Sequence, residues 1–233
     1  MSRAISPGWA ERSSRRSSYQ AFDARAREYD AWYDTEVGKA VFTMEVDCLR
    51  PLLLRYERPY LEVGVGSGRF ARALGIEFGV DPAAAMLQMA GSRGIQVLEA
   101  AGEELPFPDG MFGALLVALT LCFVADPARV LREAWRVLRP GGGLVLGLIP
   151  KESPWAESYA GKGREGHPLY SRARFFSREE VESLLRLAGF RLSECRSVLF
   201  QPPGQSRYLP EAPEEGYQER AGFVAVGSHK PES

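Results

Sequence analysis

Cysteine is scarce in this 233-residue chain: Cys48, Cys122 and Cys195 are all there is, and they stand far apart. An odd, scattered set makes neither a disulfide framework nor a zinc site, and it fits a reducing, cytoplasmic setting. Basic charge is not in excess either. Lys plus Arg is 29 against 30 for Asp plus Glu, a formal charge of −1, which argues against a general binder of nucleic acid or anionic membranes. No apolar run approaches the roughly 18 residues of a spanning helix. The opening stretch, "MSRAISPGWAERSSRRSSYQ", has no hydrophobic h-region and so is not a secretory signal. It reads as a disordered lead over 1–18, in preference to a transit peptide. Internal repeats are absent as well.

What the chain does have is material for a core, with 45% hydrophobic and 25% charged residues, the balance of an ordinary globular protein. Residues 19–57 read as two helices. Their aromatics cluster at Phe22, Tyr29, Trp32 and Tyr33, Thr35 is the N-cap of the second helix, and Pro51 ends or kinks it. Strands then alternate with helices: strands over 60–64, 76–81, 95–100, 112–119 and 144–149, and helices over 68–74, 82–90 and 126–138. "FGALLVAL" (112–119) is apolar throughout, as a central strand covered on both faces requires. Pro82 stands at the first position of its helix, Asp126 caps the next, and "RPGGG" stops that one. The stretch 150–176 shows no clear period and reads as a long loop of the kind that forms lids. Ser177 and Glu180 make a capping box for a helix over 177–190, which Gly189 ends. Two further strands, 191–200 and 222–230, flank a Pro-rich irregular linker. This alternation predicts a doubly wound α/β sheet of seven strands.

"PYLEVGVGSGRF" (59–70) carries the chemistry. A strand runs into Gly64, Gly66 and Gly68, with Glu62 just upstream, and ligands of open α/β sheets bind outside the carboxyl ends of the strands. The P-loop pattern is missing, which disfavours a nucleoside triphosphate. The dinucleotide pattern fails too, because Arg69 stands where its third small residue belongs. Asp81 ends the second strand. Its carboxylate can accept from both hydroxyls of a ribose, cap the helix starting at Pro82, or do both.

Four blocks, "LEVGVGSGRFARALG", "GVDPAAAML", "AGEELPFPDGMFG" and "REAWRVLRPGGGLVLG", resemble in order and spacing those of class I S-adenosylmethionine-dependent methyltransferases. They look most like the type 11 branch that includes the ubiquinone and menaquinone C-methyltransferases. The resemblance covers roughly residues 20–150. It implies a Rossmann-like sheet, mostly parallel with an antiparallel last strand and helices on both faces. It further implies one domain over 19–233, with a helical cap (19–57) and a lid loop (150–176), S-adenosyl-L-methionine as cofactor and a small-molecule acceptor. On the matching positions, Gly64, Val65 and Gly66 approach the cofactor and Glu62 helps orient its ammonium group. Asp81, with Pro82 beside it, holds the ribose, Met86 packs the adenine, and Leu119 closes the fourth strand beside the cofactor. Tyr33 either bonds the cofactor carboxylate or the acceptor, or serves in aromatic packing between lid and sheet. In the family an acid after the third strand receives the adenine amino group. Here Ala100, Ala101 and Gly102 stand at that place, so either Glu103 substitutes, or it is a solvated loop charge and the backbone of Ala101 and Gly102 holds the adenine.

For the acceptor, Thr120, Leu121, Cys122 and Phe123 follow the fourth strand and are expected to face the methyl group. The apolar neighbours of Cys122 make it a small wall rather than a nucleophile. From 150–176 come His167 as a candidate base and Tyr170, with Tyr159 and Lys162 nearby. Arg164, Arg172, Arg174 and Arg178 read by default as a solvated face, with charge for an acidic acceptor as the alternative. The Asn/Asp-Pro-Pro-Tyr block of nitrogen methylation on nucleobases and amides is absent, and no acid or histidine cluster marks a metal. Two rivals stand beside this reading. One is a non-catalytic binder of the cofactor or its product. The other is a nicotinamide-dependent oxidoreductase, disfavoured by the glycine spacing and the final "GFVAVG" strand.

Overall fold

The computed structural model describes residues 19–232; the disordered lead expected over 1–18 lies outside them. A helical turn over 19–24 leads into α1 (Ala26–Trp32) and α2 (Glu36–Leu53). Then follow β1 (Tyr60–Val63), α3 (Arg69–Leu74), β2 (Phe78–Asp81), α4 (Ala84–Ser92), β3 (Gln96–Glu99) and β4 (Phe112–Ala118). The chain continues through α5 (Pro127–Val137), β5 (Leu138–Leu148), α6 (Pro154–Arg164), α7 (Arg178–Leu187), β6 (Arg191–Val198), β7 (Glu214–Glu215) and β8 (Phe223–His229). The caps form as their chemistry dictates. Gly38 N donates to Thr35 Oγ1 at 2.9 Å, Arg129 N to Asp126 Oδ1 at 2.9 Å, and Ser177 with Glu180 closes a full capping box.

One sheet runs in the order β3-β2-β1-β4-β5-β8-β6-β7. Strands β1 to β5 pair in parallel, and β8 lies antiparallel between β5 and β6. The sheet therefore has eight strands, not seven. The extra one, β7, is a two-residue edge strand in the Pro-rich linker, too short to carry a period. After β1 the chain winds outward to β3, then returns to place β4 on the other side of β1. The switch point lies between β1 and β4, where the strand order reverses.

The sheet is packed on both faces, and its strands alternate accordingly. Ala114, Leu116 and Ala118 of β4 join Leu49, Leu52, Phe70 and Ala90 on one side. Phe112, Leu115 and Val117 join Val130, Leu131, Val181 and Leu185 on the other.

Three local expectations need correction. α2 continues two residues past Pro51 to Leu53. α4 begins at Ala84, so Pro82 precedes the helix instead of opening it. The stretch 150–176 is not a bare loop: it contains α6, whose Ser153 cap accepts from Ala156 N at 3.1 Å, and a 3₁₀ turn over Tyr170–Arg172. Gly161 and Gly163 interrupt the side-chain pattern of α6 and hide it.

Candidate active site

Two cavities adjoin at the carboxyl ends of β1 and β4, sharing Phe22, Tyr29, Tyr33, Leu119 and Phe123 as walls. The first, of about 150 Å³, is lined by Tyr33, Glu62, Gly64, Val65, Gly66, Asp81, Pro82, Met86, Ala101, Gly102, Glu103 and Leu119. These are the residues expected around the cofactor, brought together from five separate segments. The second, of about 450 Å³, is lined by Cys122, His167 and Tyr170, with Tyr33 shared.

The glycine turn is strapped to β2, with Gly64 N and Val65 N both donating to Val80 O at 2.8 and 2.9 Å. Gly64 has φ +73°, and a Cβ there would come within 2.3 Å of the Thr120 side chain. Gly66, at φ +52°, differs: a Cβ would meet nothing within 4 Å. Bare backbone at Gly66 therefore leaves a cradle open for a ligand.

Asp81 braces the cradle. Its Oδ2 accepts from Gly66 N at 3.0 Å and its Oδ1 from Ala83 N at 2.8 Å. Each carboxylate oxygen keeps lone-pair capacity for a second donor. Burial outweighs the two amides and pushes the Asp81 carboxyl up to about 6. Glu62 lies under the turn, 1% exposed, and its Oε2 has no hydrogen-bond partner. Burial raises its carboxyl well above the ordinary range, against the Ala71 amide and with the Asp81 charge. Glu103 is 4% exposed and not a solvated loop charge. Its Oε1 accepts from Ala125 N at 3.0 Å and Asp126 N at 3.3 Å, so it anchors the loop after β4.

A cluster that sequence reasoning missed holds the helical cap over this cavity. Arg69 Nε donates to Asp30 Oδ1 at 2.7 Å, and its guanidinium also bonds both oxygens of Asp34. Arg93 Nη2 reaches Asp30 Oδ2 at 2.8 Å, and Ala85 N donates to Asp23 Oδ1 at 2.7 Å. Burial pushes Asp30 up, yet the bonds from Arg69, Ser67 and Arg93 win and hold its carboxyl well below the usual range. The residue that breaks the dinucleotide pattern is thus the one that pins α1 to the start of α3.

Leu119 leaves β4 at φ +51°, a left-handed conformation costly for a branched side chain and typical of functional turns. Of the residues expected beyond it, Thr120 and Phe123 line the first cavity. Leu121 instead packs beneath the sheet at 1% exposure. Burial raises the Cys122 thiol to about 12, and it donates to Leu119 O at 3.5 Å. His167 stacks on Tyr170 at 4.5 Å, and its Nδ1 accepts from Leu169 N at 3.3 Å. Burial lowers its pKa. Arg174 and Arg178 point elsewhere, paired with Glu180 and Glu182 at 3.0 and 2.7 Å.

The second cavity also holds a residue absent from the sequence-based set. Glu45 of α2 lines it at 5% exposure, with Oε2 unpartnered. Burial pushes its carboxyl up to about 8. A signal existed: Glu45 interrupts the apolar stripe of Val41, Cys48, Leu49 and Leu52 on one face of the helix.

Comparison with known proteins agrees with this geometry. A family model described as "Methyltransferase domain" matches residues 61–146. A crystal structure from Thermotoga maritima, titled a SAM-dependent methyltransferase and "possible histamine N-methyltransferase", aligns with TM-score 0.83 at 36% identity. It covers 91% of this chain and 99% of that one. The chain belongs to the S-adenosylmethionine-dependent methyltransferases. An uncharacterised protein of Mycobacterium tuberculosis is 48% identical over 219 residues, 92% of this chain and 76% of that protein. The demethylmenaquinone methyltransferase of Thermus thermophilus is 42% identical over 102 residues, 39% of this chain and 46% of that enzyme, in line with the type 11 branch of the family.

The cofactor of this methyltransferase family is S-adenosylmethionine, and the groups lining the first cavity suit it. The orphaned Glu62 Oε2 suits a cation, the open space at Gly66 suits a ligand pressed against backbone, and Asp81 retains acceptor capacity for hydroxyls. Among the described residues, no helix of the methyltransferase is long and apolar enough to cross a membrane.

Proposed function

We propose that the protein transfers a methyl group from S-adenosylmethionine to a small-molecule acceptor seated in the second cavity. The observation that carries this reading is the shared wall. Tyr33, Leu119 and Phe123 border a cavity suited to the cofactor and a separate aromatic cavity of about 450 Å³, within the ordinary size of small-ligand pockets.

When bound, the cofactor supplies a methyl group already activated on a sulfonium. The chain's own contribution is placement. Asp81 accepts from the ribose hydroxyls while its amide bonds keep the turn in shape. Glu62 faces the ammonium group, and Gly64, Val65 and Gly66 bring backbone close. Pro82 and Met86 pack beside the adenine, and Ala101, Gly102 and Glu103 border it. Cys122 stays a neutral thiol and walls the acceptor, next to Tyr33, His167 and Tyr170. Holding an acceptor in line is worth several kcal/mol of the barrier, of the roughly 7–11 that positioning can supply. The aromatic cap excludes water.

A screen with methyl-labelled S-adenosylmethionine over thiols, phenols, amines and quinone precursors tests the reading. Labelled product from one class is expected. No product from any class, with S-adenosylhomocysteine still bound, would favour a non-catalytic binder.

A further inference from the structure

Resting on the methyltransferase reading, we infer that the acceptor carries a cationic amine, held in the second cavity by the Glu45 carboxylate within a wall of aromatic rings. Glu45 is buried, and its Oε2 is without a partner while lining a cavity. A buried carboxyl oxygen with no hydrogen bond is costly. A ligand bearing a positive charge gives it a partner.

The surrounding side chains suit the same ligand. Tyr29, Tyr33, Trp155, Tyr159, Tyr170 and Tyr208 line the cavity. Their ring faces attract a desolvated cation. Two of the rings already take part in such contacts: Arg69 lies 5.4 Å from the Tyr33 ring centroid, and Lys162 lies 5.2 Å from that of Tyr159. A neutral phenol or thiol would leave Glu45 with no charge to meet, and an anionic acceptor would be repelled once Glu45 ionises.

The pH dependence follows. With its carboxyl raised to about 8 by burial, Glu45 is mostly protonated at pH 7 and mostly ionised at pH 9. An alkylammonium ligand, like a lysine side chain, stays cationic across this range. Amine affinity therefore rises about tenfold from pH 7 to pH 9. Other titratable groups face the cavity. Burial raises the pKa of Tyr29, Tyr33, Tyr159 and Tyr170 and of Cys122, and also that of Cys48 one turn along α2, so these remain neutral. His167 is shifted downward and has lost its proton before the window opens. Arg25, Glu28, Lys162 and Tyr208 also line the cavity. A Glu45→Gln variant keeps all of them, so the difference between the two proteins isolates Glu45.

The test is calorimetry on the protein saturated with S-adenosylhomocysteine. The probes are 2-phenylethylamine and n-hexylamine, with 2-phenylethanol and 1-hexanol as uncharged counterparts, at pH 7 and pH 9. At pH 9 an amine is expected to bind at least about tenfold more tightly than its alcohol, and about tenfold more tightly than it does at pH 7. In Glu45→Gln both differences should vanish while S-adenosylhomocysteine affinity stays the same, which also shows that the variant is folded. Amines no better than their alcohols, or an amine preference that survives Glu45→Gln, would overturn the inference. Failure of the unmodified protein to bind S-adenosylhomocysteine would instead overturn the methyltransferase reading beneath it.

Discussion

Asp81 shows most clearly how one residue can serve fold and ligand together. Its two amide bonds hold the glycine turn against the start of α4, and its remaining acceptor capacity faces the first cavity. Asp81→Asn turns one acceptor oxygen into an NH2, so it gives up one of the two amide bonds, from Gly66 N or Ala83 N, together with the charge-assisted bonds to a ribose, worth about 1.5–3 kcal/mol. Calorimetry should show S-adenosylhomocysteine binding roughly tenfold to hundredfold more weakly. The pH dependence has a definite sign. The Asp81 carboxyl is raised to about 6, so it is ionised above that value and protonated below it. Affinity should fall about tenfold between pH 7 and pH 5. Cys122 leads to the opposite expectation. Its thiol is raised to about 12, so it is no nucleophile at neutral pH. Cys122→Ala should keep S-adenosylhomocysteine affinity and at least about a tenth of turnover, while shifting acceptor preference by about 1–3 kcal/mol through pocket shape. Loss of all activity with cofactor binding intact would count against the wall role.

Among the elements, the cap is the informative one. α1 is held by Arg69 on a carboxylate 6% exposed, a pair in which removing one partner leaves buried charge behind. Arg93 remains on Asp30 when Arg69 is removed, so Arg69→Ala should cost about 1–3 kcal/mol locally. Hydrogen exchange over residues 19–33 should accelerate while the central strands stay protected; unchanged exchange there would mean that packing alone holds the cap. Cofactor binding should act in reverse, slowing exchange in 19–57 and in 150–176. Protection limited to the strand ends would show that neither segment closes. The same elements mark how far the sequence could be read. The turn after β1 and the cap at Asp126 were legible because glycine, proline and aspartate act within a few residues of themselves. The Asp30–Arg69 pair spans 39 positions, and nothing local announces it. α6 was hidden because its two glycines leave only Trp155 and Ala156 buried, too few for a period. Glu45 was overlooked because an acid on an amphipathic helix is ordinarily solvated, and its burial depends on the neighbours that pack over it.

For the whole molecule, alternating apolar strands and capped helices were enough to predict a doubly wound sheet. The eighth strand escaped because two residues at an edge carry no pattern. The winding matters to function because it returns β4 beside β1. That return brings Asp81, Glu62 and Leu119 to one cleft and leaves the larger aromatic cavity next to it. This cleft is expected to take S-adenosylmethionine and not a dinucleotide. Parallel calorimetric titrations of the intact protein with S-adenosylhomocysteine and with NADH test it most directly. Saturable binding of S-adenosylhomocysteine at one site per chain, with no heat of binding from NADH, is the predicted result. Saturable NADH binding with none from S-adenosylhomocysteine would mean that the cleft is a dinucleotide site.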